Sequence, residues 1–289
     1  MLSINPHDLS SAQLQAYLQS AVAPRPIAFA STMNAKGQPN LSPFSFFNVF
    51  SSNPPILIFS PARRVRDNSI KHTLSNVQEW QEVVINVVDF AMVQQMSLSS
   101  TDYAEGVNEF VKAGFTALPS MLVKPYRVKE APVQFECKVN QVIALGNQGG
   151  AGNLVICEVL KIHIHEAVLD EKGAIIQEKL DLVARLGGNW YSRANAGLFE
   201  VPKPLSTLGI GVDAIPEFIK KSGLFSGNDL GLLGNVDALP SPEEVAIFVK
   251  QNFELKAVLS ADEPAKKLKL ALTYLHKNDV QAAWKVLLA

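Results

Sequence analysis

Residues 24–61, PRPIAFASTMNAKGQPNLSPFSFFNVFSSNPPILIFSP, leave this chain few ways to fold. Prolines 24 and 26 remove backbone donors and disfavour helix, so the helical pattern of Leu9, Ala12, Leu14, Ala16, Tyr17 and Leu18 must stop there. Beyond them the chain reads as three short β-strands, 27–33, 41–50 and 56–60. Asn34-Ala35-Lys36-Gly37 supplies a hairpin turn in which glycine can take positive φ, and Asn53-Pro54-Pro55 divides the second strand from the third. Polar residues collect at the strand ends: Ser31 and Thr32 close the first, Ser42, Ser45 and Asn48 punctuate the second, and Ser51 and Ser52 precede the third. With Phe44, Phe46 and Phe47 at the same bend, this set suits a flat, polar-edged aromatic ligand better than a plain core.

Residues 69–80 continue as a helix with Ile70, Leu74 and Val77 on one face, and Asp67, Asn68, Ser69 and Thr73 compete as its N-cap. A strongly apolar strand, 82–88, and a helix over 90–99 come next. The polar, irregular stretch 101–131 is long enough to be a functional loop. Two long β runs, 133–145 and 154–169, flank the glycine-rich 146–152, which reads as a hairpin loop because no helix succeeds it to form a phosphate cradle. Composition shifts at Pro202-Lys203-Pro204, and the chain beyond is helical. Ser241-Pro242-Glu243-Glu244 combines an N-cap serine, proline at N1 and glutamate at N3. Leu268, Ala271, Leu272 and Leu275 form a later apolar stripe. The expected organisation is a mainly β domain over 1–204 and a helical extension over 205–289.

Net charge is −1, so no global field draws in nucleic acid or an anionic membrane. No stretch reaches the length of a membrane span, and no basic segment leads an apolar one at the N-terminus, which sets a cytoplasmic location as the expectation. Cys137 and Cys157 lie inside apolar runs and read as buried free thiols or one structural disulfide. His163 and His165 share one strand face, but no third ligand is spaced nearby, so no metal site is expected. Nucleophile elbows, HExxH and a strand-to-helix GxGxxG are absent from the sequence.

PRPIAFAST, PNLSPFSFFN, FSSNPP, Lys71-His72-Thr73-Leu74-Ser75-Asn76, the EVVINVV strand and Arg185-Leu186-Gly187-Gly188-Asn189-Trp190-Tyr191 together resemble the flavin reductase-like family of FMN-binding split-barrel proteins, over about residues 20–200. The resemblance implies a six-stranded split barrel and is silent about the helical stretch after Pro204. The expected fold is therefore mainly β with α, an FMN-binding split barrel plus a C-terminal helical extension. The resemblance also implies a homodimer with FMN at the subunit interface. Lys71 and Thr73 stand at a helix start, where unpaired N–H groups favour an anion, and become phosphate contacts on this reading, with Arg25 a second source of charge. Ser31 and Thr32 would bond phosphate, ribityl or ring edge; Ser45 and Asn48 would meet the pyrimidine edge, and Phe46 and Phe47 would cover the apolar end. Ser51, Ser52, Gly188 and Tyr191 complete the set. Each has a plainer role as well: strand end, N-cap, core, surface charge, or a helix C-cap with an anchoring tyrosine. Many relatives carry aspartate where this chain has His72, which leaves that position's part open.

Three functions fit. One is an NAD(P)H-dependent flavin reductase passing hydride to flavin N5, with NADH or NADPH as co-substrate and no catalytic side chain required. Another is a non-catalytic flavin electron carrier serving a redox partner protein. The third is an interaction protein that uses its helical tail on a flavin-binding scaffold.

Overall fold

The computed structural model describes residues 1–201, 208–261 and 263–289, and the chain divides into two compact units, Met1–Phe199 and Glu200–Ala289. Pro202-Lys203-Pro204 and the boundary expected after it lie outside the described residues.

The first unit opens with α1 (Ser11–Ala21), then β1 (Ala28–Met33), β2 (Pro39–Phe44), β3 (Phe47–Ser52) and β4 (Pro55–Phe59). Next come α2 (His72–Trp80), β5 (Glu82–Asn86), α3 (Val93–Leu98) and α4 (Glu109–Ala113). A small ribbon, β6 (Ala117–Leu118) with β7 (Arg127–Val128), precedes the long hairpin β8 (Val133–Ala144) and β9 (Asn153–Ile164). The unit closes with α5 (Gln177–Leu180), β10 (Val183–Arg185) and β11 (Tyr191–Arg193). Seven strands form one sheet in the order β2-β1-β5-β8-β9-β4-β3, every pair antiparallel.

That order forces the sheet to roll. β2 and β3 are its two edges, yet only Ser45 and Phe46 join them. In a flat sheet, six spacings of about 4.8 Å would part the edges by about 29 Å. Three extended Cα steps reach about 11 Å at most. The edges therefore come together, giving the split barrel. The interior agrees with the closure, because Phe44 on β2 lies in one buried cluster with Phe59, Val139, Val155 and Cys157. The Phe44 and Phe59 rings are 5.4 Å apart, and the Ser60 N–H donates to the Phe46 carbonyl at 2.8 Å. Leu74 and Val77 of α2 fill the same cluster. On the outer face of β1, Phe29 packs with Leu41, Met96, Phe110 and Phe115, so that strand is buried on both sides.

Several sequence expectations shift in detail. The run 41–50 is two strands rather than one, because the chain turns at Ser45–Phe46 to change sheet edges; the sheet thus has seven strands where the resemblance implied six. The helix expected from residue 69 begins at His72 with Lys71 in the N-cap position, and none of the four polar candidates caps it. Asp67 accepts from the Ser69 amide instead, and Asn68 adopts positive φ. The stretch 101–131 contains α4 and the β6–β7 ribbon, and β9 stops at Ile164 rather than running to 169. Residues 186–190 are a hairpin turn between β10 and β11, and Tyr191 opens β11 opposite Arg185, so there is no helix C-cap here.

The second unit is helical: α6 (Glu217–Lys220), α7 (Gly227–Gly234), α8 (Pro242–Gln251), α9 (Phe253–Ser260), α10 (Pro264–Leu275) and α11 (Val280–Leu288). The Ser241 capping box forms, with the Glu244 N–H donating to Ser241 Oγ at 3.2 Å and the Ser241 N–H to Glu244 Oε2 at 2.8 Å. Its own core gathers Ile219, Leu233, Leu255, Leu275 and Trp284, and the Trp284 indole N–H donates to the Leu233 carbonyl at 3.0 Å.

Candidate functional site

After β4 the chain runs Ala62-Arg63-Arg64-Val65-Arg66 along a cavity of about 370 Å³, which Lys71, Asp102 and Gly150 also line. Local bonds hold this arginine loop in shape. Arg63 donates to the Asn68 side chain and carbonyl, both at 2.7 Å. Arg64 Nη1 donates to Ser69 Oγ at 2.9 Å and to the Ile70 carbonyl at 2.8 Å. The glycine-rich hairpin backs the loop: the Arg63 N–H donates to Ala151 O at 2.8 Å and the Gly150 N–H to Arg63 O at 2.9 Å. A Cβ on Gly149 would sit 3.0 Å from the Arg64 carbonyl oxygen. Residues 146–152 thus hold the cationic loop in place through their backbone.

Three cations converge on Asp102. Arg64 donates to Oδ1 through Nε at 3.0 Å and through Nη2; Arg66 Nη2 lies 3.2 Å from Oδ2, and Lys71 Nζ 3.7 Å from Oδ1. The hydrogen bond from Arg64, aided by the charges of Lys71, Arg64 and Arg66, holds this carboxyl below the usual carboxylate range. Arg64, Arg66 and Asp102 do not stand out in the sequence. ARRVR after a strand is the one signal there, but such a run reads as solvated surface until Asp102 is brought to it from 36 residues and more away.

A second cavity, of about 470 Å³, is lined by Ser45 and Tyr191 with Pro43, Ser97, Arg185 and Asn189 among others. The Arg185 guanidinium lies 4.6 Å from the Tyr191 ring centroid and donates to the Trp190 carbonyl at 3.1 Å. Gly188 takes φ +56 in the turn before Tyr191. Gly187 lets α1 approach, since a Cβ there would meet Ser20 Oγ at 2.2 Å. The end of α3 and the residues after it border both cavities: Ser97 and Ser100 line this one, Asp102 the cationic one.

The remaining candidates are not among the residues that line these two cavities. Thr32 and Thr73 are buried in a polar network, with Asn40 Nδ2 donating to Thr73 Oγ1 at 2.9 Å and Asn76 Nδ2 to Thr32 Oγ1 at 3.0 Å. Ser31 faces the other side of β1, buried, with no partner for its hydroxyl among the described residues. Arg25 points inward: its guanidinium donates to the carbonyls of Gln19, Val22 and Leu186, tying the end of α1 to the β10–β11 turn. Burial, then the nearby charge of Arg185, lowers its pKa. Phe46, Phe47, Asn48, Ser51 and Ser52 lie at the bend and along edge strand β3, where Asn48 accepts from the Val49 amide at 2.8 Å. Next to them Val49 and Phe50 are 64% and 62% exposed, an apolar pair on a free sheet edge.

Other sequence features fall outside both cavities. Cys137 and Cys157 are free and buried, and burial pushes the Cys137 thiol up to about 12. His163 Nε2 lies 2.7 Å from the buried Glu136 carboxylate, which also accepts from the Met121 and Leu122 amides. Among the described residues no group of three metal-ligating side chains converges, and no helix is long and apolar enough to cross a membrane.

Residues 20–181 match the model of the flavin reductase like domain. An uncharacterized protein of Aquifex aeolicus is 38% identical over 173 residues, 60% of this chain and 86% of that protein. Among solved structures, nitrilotriacetate monooxygenase component B from Bacillus cereus superposes with a TM-score of 0.65 at 30% identity, over 70% of this chain and 98% of that one. The 2-nitrobenzoate 2-nitroreductase NbaA of Pseudomonas fluorescens gives 0.63 at 27% identity, over 73% and 100%.

Proposed function

Because this chain belongs to the flavin reductase-like family, we propose that it is an FMN-binding oxidoreductase that accepts hydride from NADH or NADPH. The observation that carries this reading is the convergence of Arg64, Arg66 and Lys71 on one oxyanion beside a cavity. Such a donor set fits a phosphate monoester, whose charge at neutral pH is about −1.5 to −2. Arg64, Arg66 and Lys71 would hold the phosphate. Ser45, Asn189 and Tyr191 would border the ring, with Arg185 supplying positive charge near its polar edge. Thr32 and Thr73 act one layer back, through the buried amides that set the position of α2.

Bound flavin would supply a two-electron sink at N5, so the protein needs no strong acid or base of its own. Its work is to hold two flat rings together and keep water from between them. The exposed Val49–Phe50 pair beside the ligand-bearing bend supports a homodimer that completes the cover over the ring. A cytoplasmic location is part of the same proposal.

The test is the visible spectrum of the purified protein, then steady-state oxidation of NADH and NADPH with added FMN. Turnover with either nucleotide is expected. Flavin binding without turnover would make the protein an electron carrier, and failure to bind flavin would leave the helical unit as the seat of function.

A further inference from the structure

We propose that Asp102 is a built-in competitor for the phosphate of the flavin, filling with its own carboxylate the site that Arg64, Arg66 and Lys71 form. The inference rests on the flavin-binding reading and adds how tightly the ligand is held.

Asp67 also pairs with Arg66, at 3.0 Å, so with Asp102 bound two negative charges face three positive ones, and once Asp102 leaves the cluster keeps a surplus of two. A phosphate monoester supplies about that charge and more acceptor oxygens than a carboxylate. The two anions need the same donors. Arg64 binds Asp102 through Nε and Nη2, while its Nη1 is held by Ser69 and Ile70 on the far side. Release of Asp102 therefore leaves the guanidinium anchored and facing the cavity. Arg66, at 74% side-chain exposure, and Asp102, at 41%, stand at the solvent boundary, so the carboxylate can swing into water at small cost. The backing of Gly149 and Gly150 keeps the arginine loop in place during the exchange. Displacement of an anion already bound weakens net affinity for the incoming one, which makes the flavin an exchangeable ligand rather than a permanently held group. Ser100, two residues before Asp102, borders the second cavity, so phosphate arrival and the shape of that cavity are linked.

The test uses the full chain as wild type, Asp102→Asn and Asp102→Ser, titrated separately with FMN, riboflavin and inorganic phosphate. Both variants are expected to bind FMN about tenfold more tightly, to gain similarly for inorganic phosphate, and to leave riboflavin affinity within about twofold. Unchanged or weaker phosphate and FMN binding in both variants would overturn the proposal. So would an equal gain for riboflavin, since that points to the cavity rather than the anion site. A gain for inorganic phosphate in variants that bind neither flavin would uphold the competitor and overturn the flavin reading instead.

Discussion

Single side chains carry the sharpest expectations. Lys71→Ala or Arg64→Met removes one charge-assisted contact to a phosphate, worth about 1.5–3 kcal/mol. Either variant should weaken FMN binding by about 10- to 100-fold and riboflavin binding much less, as read by flavin fluorescence titration. Arg25→Met should behave differently, because its guanidinium already serves three carbonyls. It is expected to lower the thermal midpoint and to affect both flavins alike. Glu109 offers a pH-dependent case. Burial holds its carboxyl above the usual value, against the opposing pull of the Leu41 amide and His72. The native state then binds the proton more tightly than the unfolded chain does, so this group's contribution is full below the unfolded pKa and is lost as pH rises through the folded one. Glu109→Gln keeps an acceptor for the Leu41 amide without the charge. It should raise the melting temperature at pH 8, by about 2–4 °C for each kcal/mol relieved, and give no gain at pH 4. Equal effects at both pH values would refute the assignment.

At the level of elements, alternation and turn chemistry made most strands readable: β1, β4, β5 and β8 fall close to the runs expected of them, and β9 starts where expected but ends five residues early. The break in 41–50 was hidden because Phe and Ser occur on both sides of it, and period-two patterning does not record a change of sheet edge. The start of α2 was obscured by an excess of good caps, when the site in use was Lys71, which makes no cap bond. Lys71 could be picked from its place at a helix start; Arg64 and Arg66 could not, because their meaning depends on Asp102 arriving from another loop. The buried join between α2 and the sheet gives an element-scale test. Asn40→Ala removes the donor to Thr73 from a closed network, which costs about 1–3 kcal/mol in denaturant unfolding. A change under about 0.5 kcal/mol would show that Asn40 is not holding α2 in place.

For the molecule as a whole, two separate cores imply two separate cooperative units. Phe59→Ala, in the barrel interior, should cost about 3–5 kcal/mol there and leave unfolding of the helical unit unchanged; Trp284→Ala should do the reverse. Domain-resolved hydrogen exchange distinguishes the two outcomes from a single shared transition. The closing link at Ser45–Phe46 has a further consequence, concerning how this chain tolerates changes of length. Surface turns such as 34–37 and 170–173 can grow at about 0.6 kcal/mol per doubling. A glycine inserted between Ser45 and Phe46 meets a different constraint, because it loosens the one covalent stitch between the two margins of the barrel. It lets β3 slide against β4 by one position, turning every side chain of that edge to the opposite face. Insertion scanning should therefore find this bend to be the least extensible point of the fold, the place where the girth of the barrel is set by counting residues.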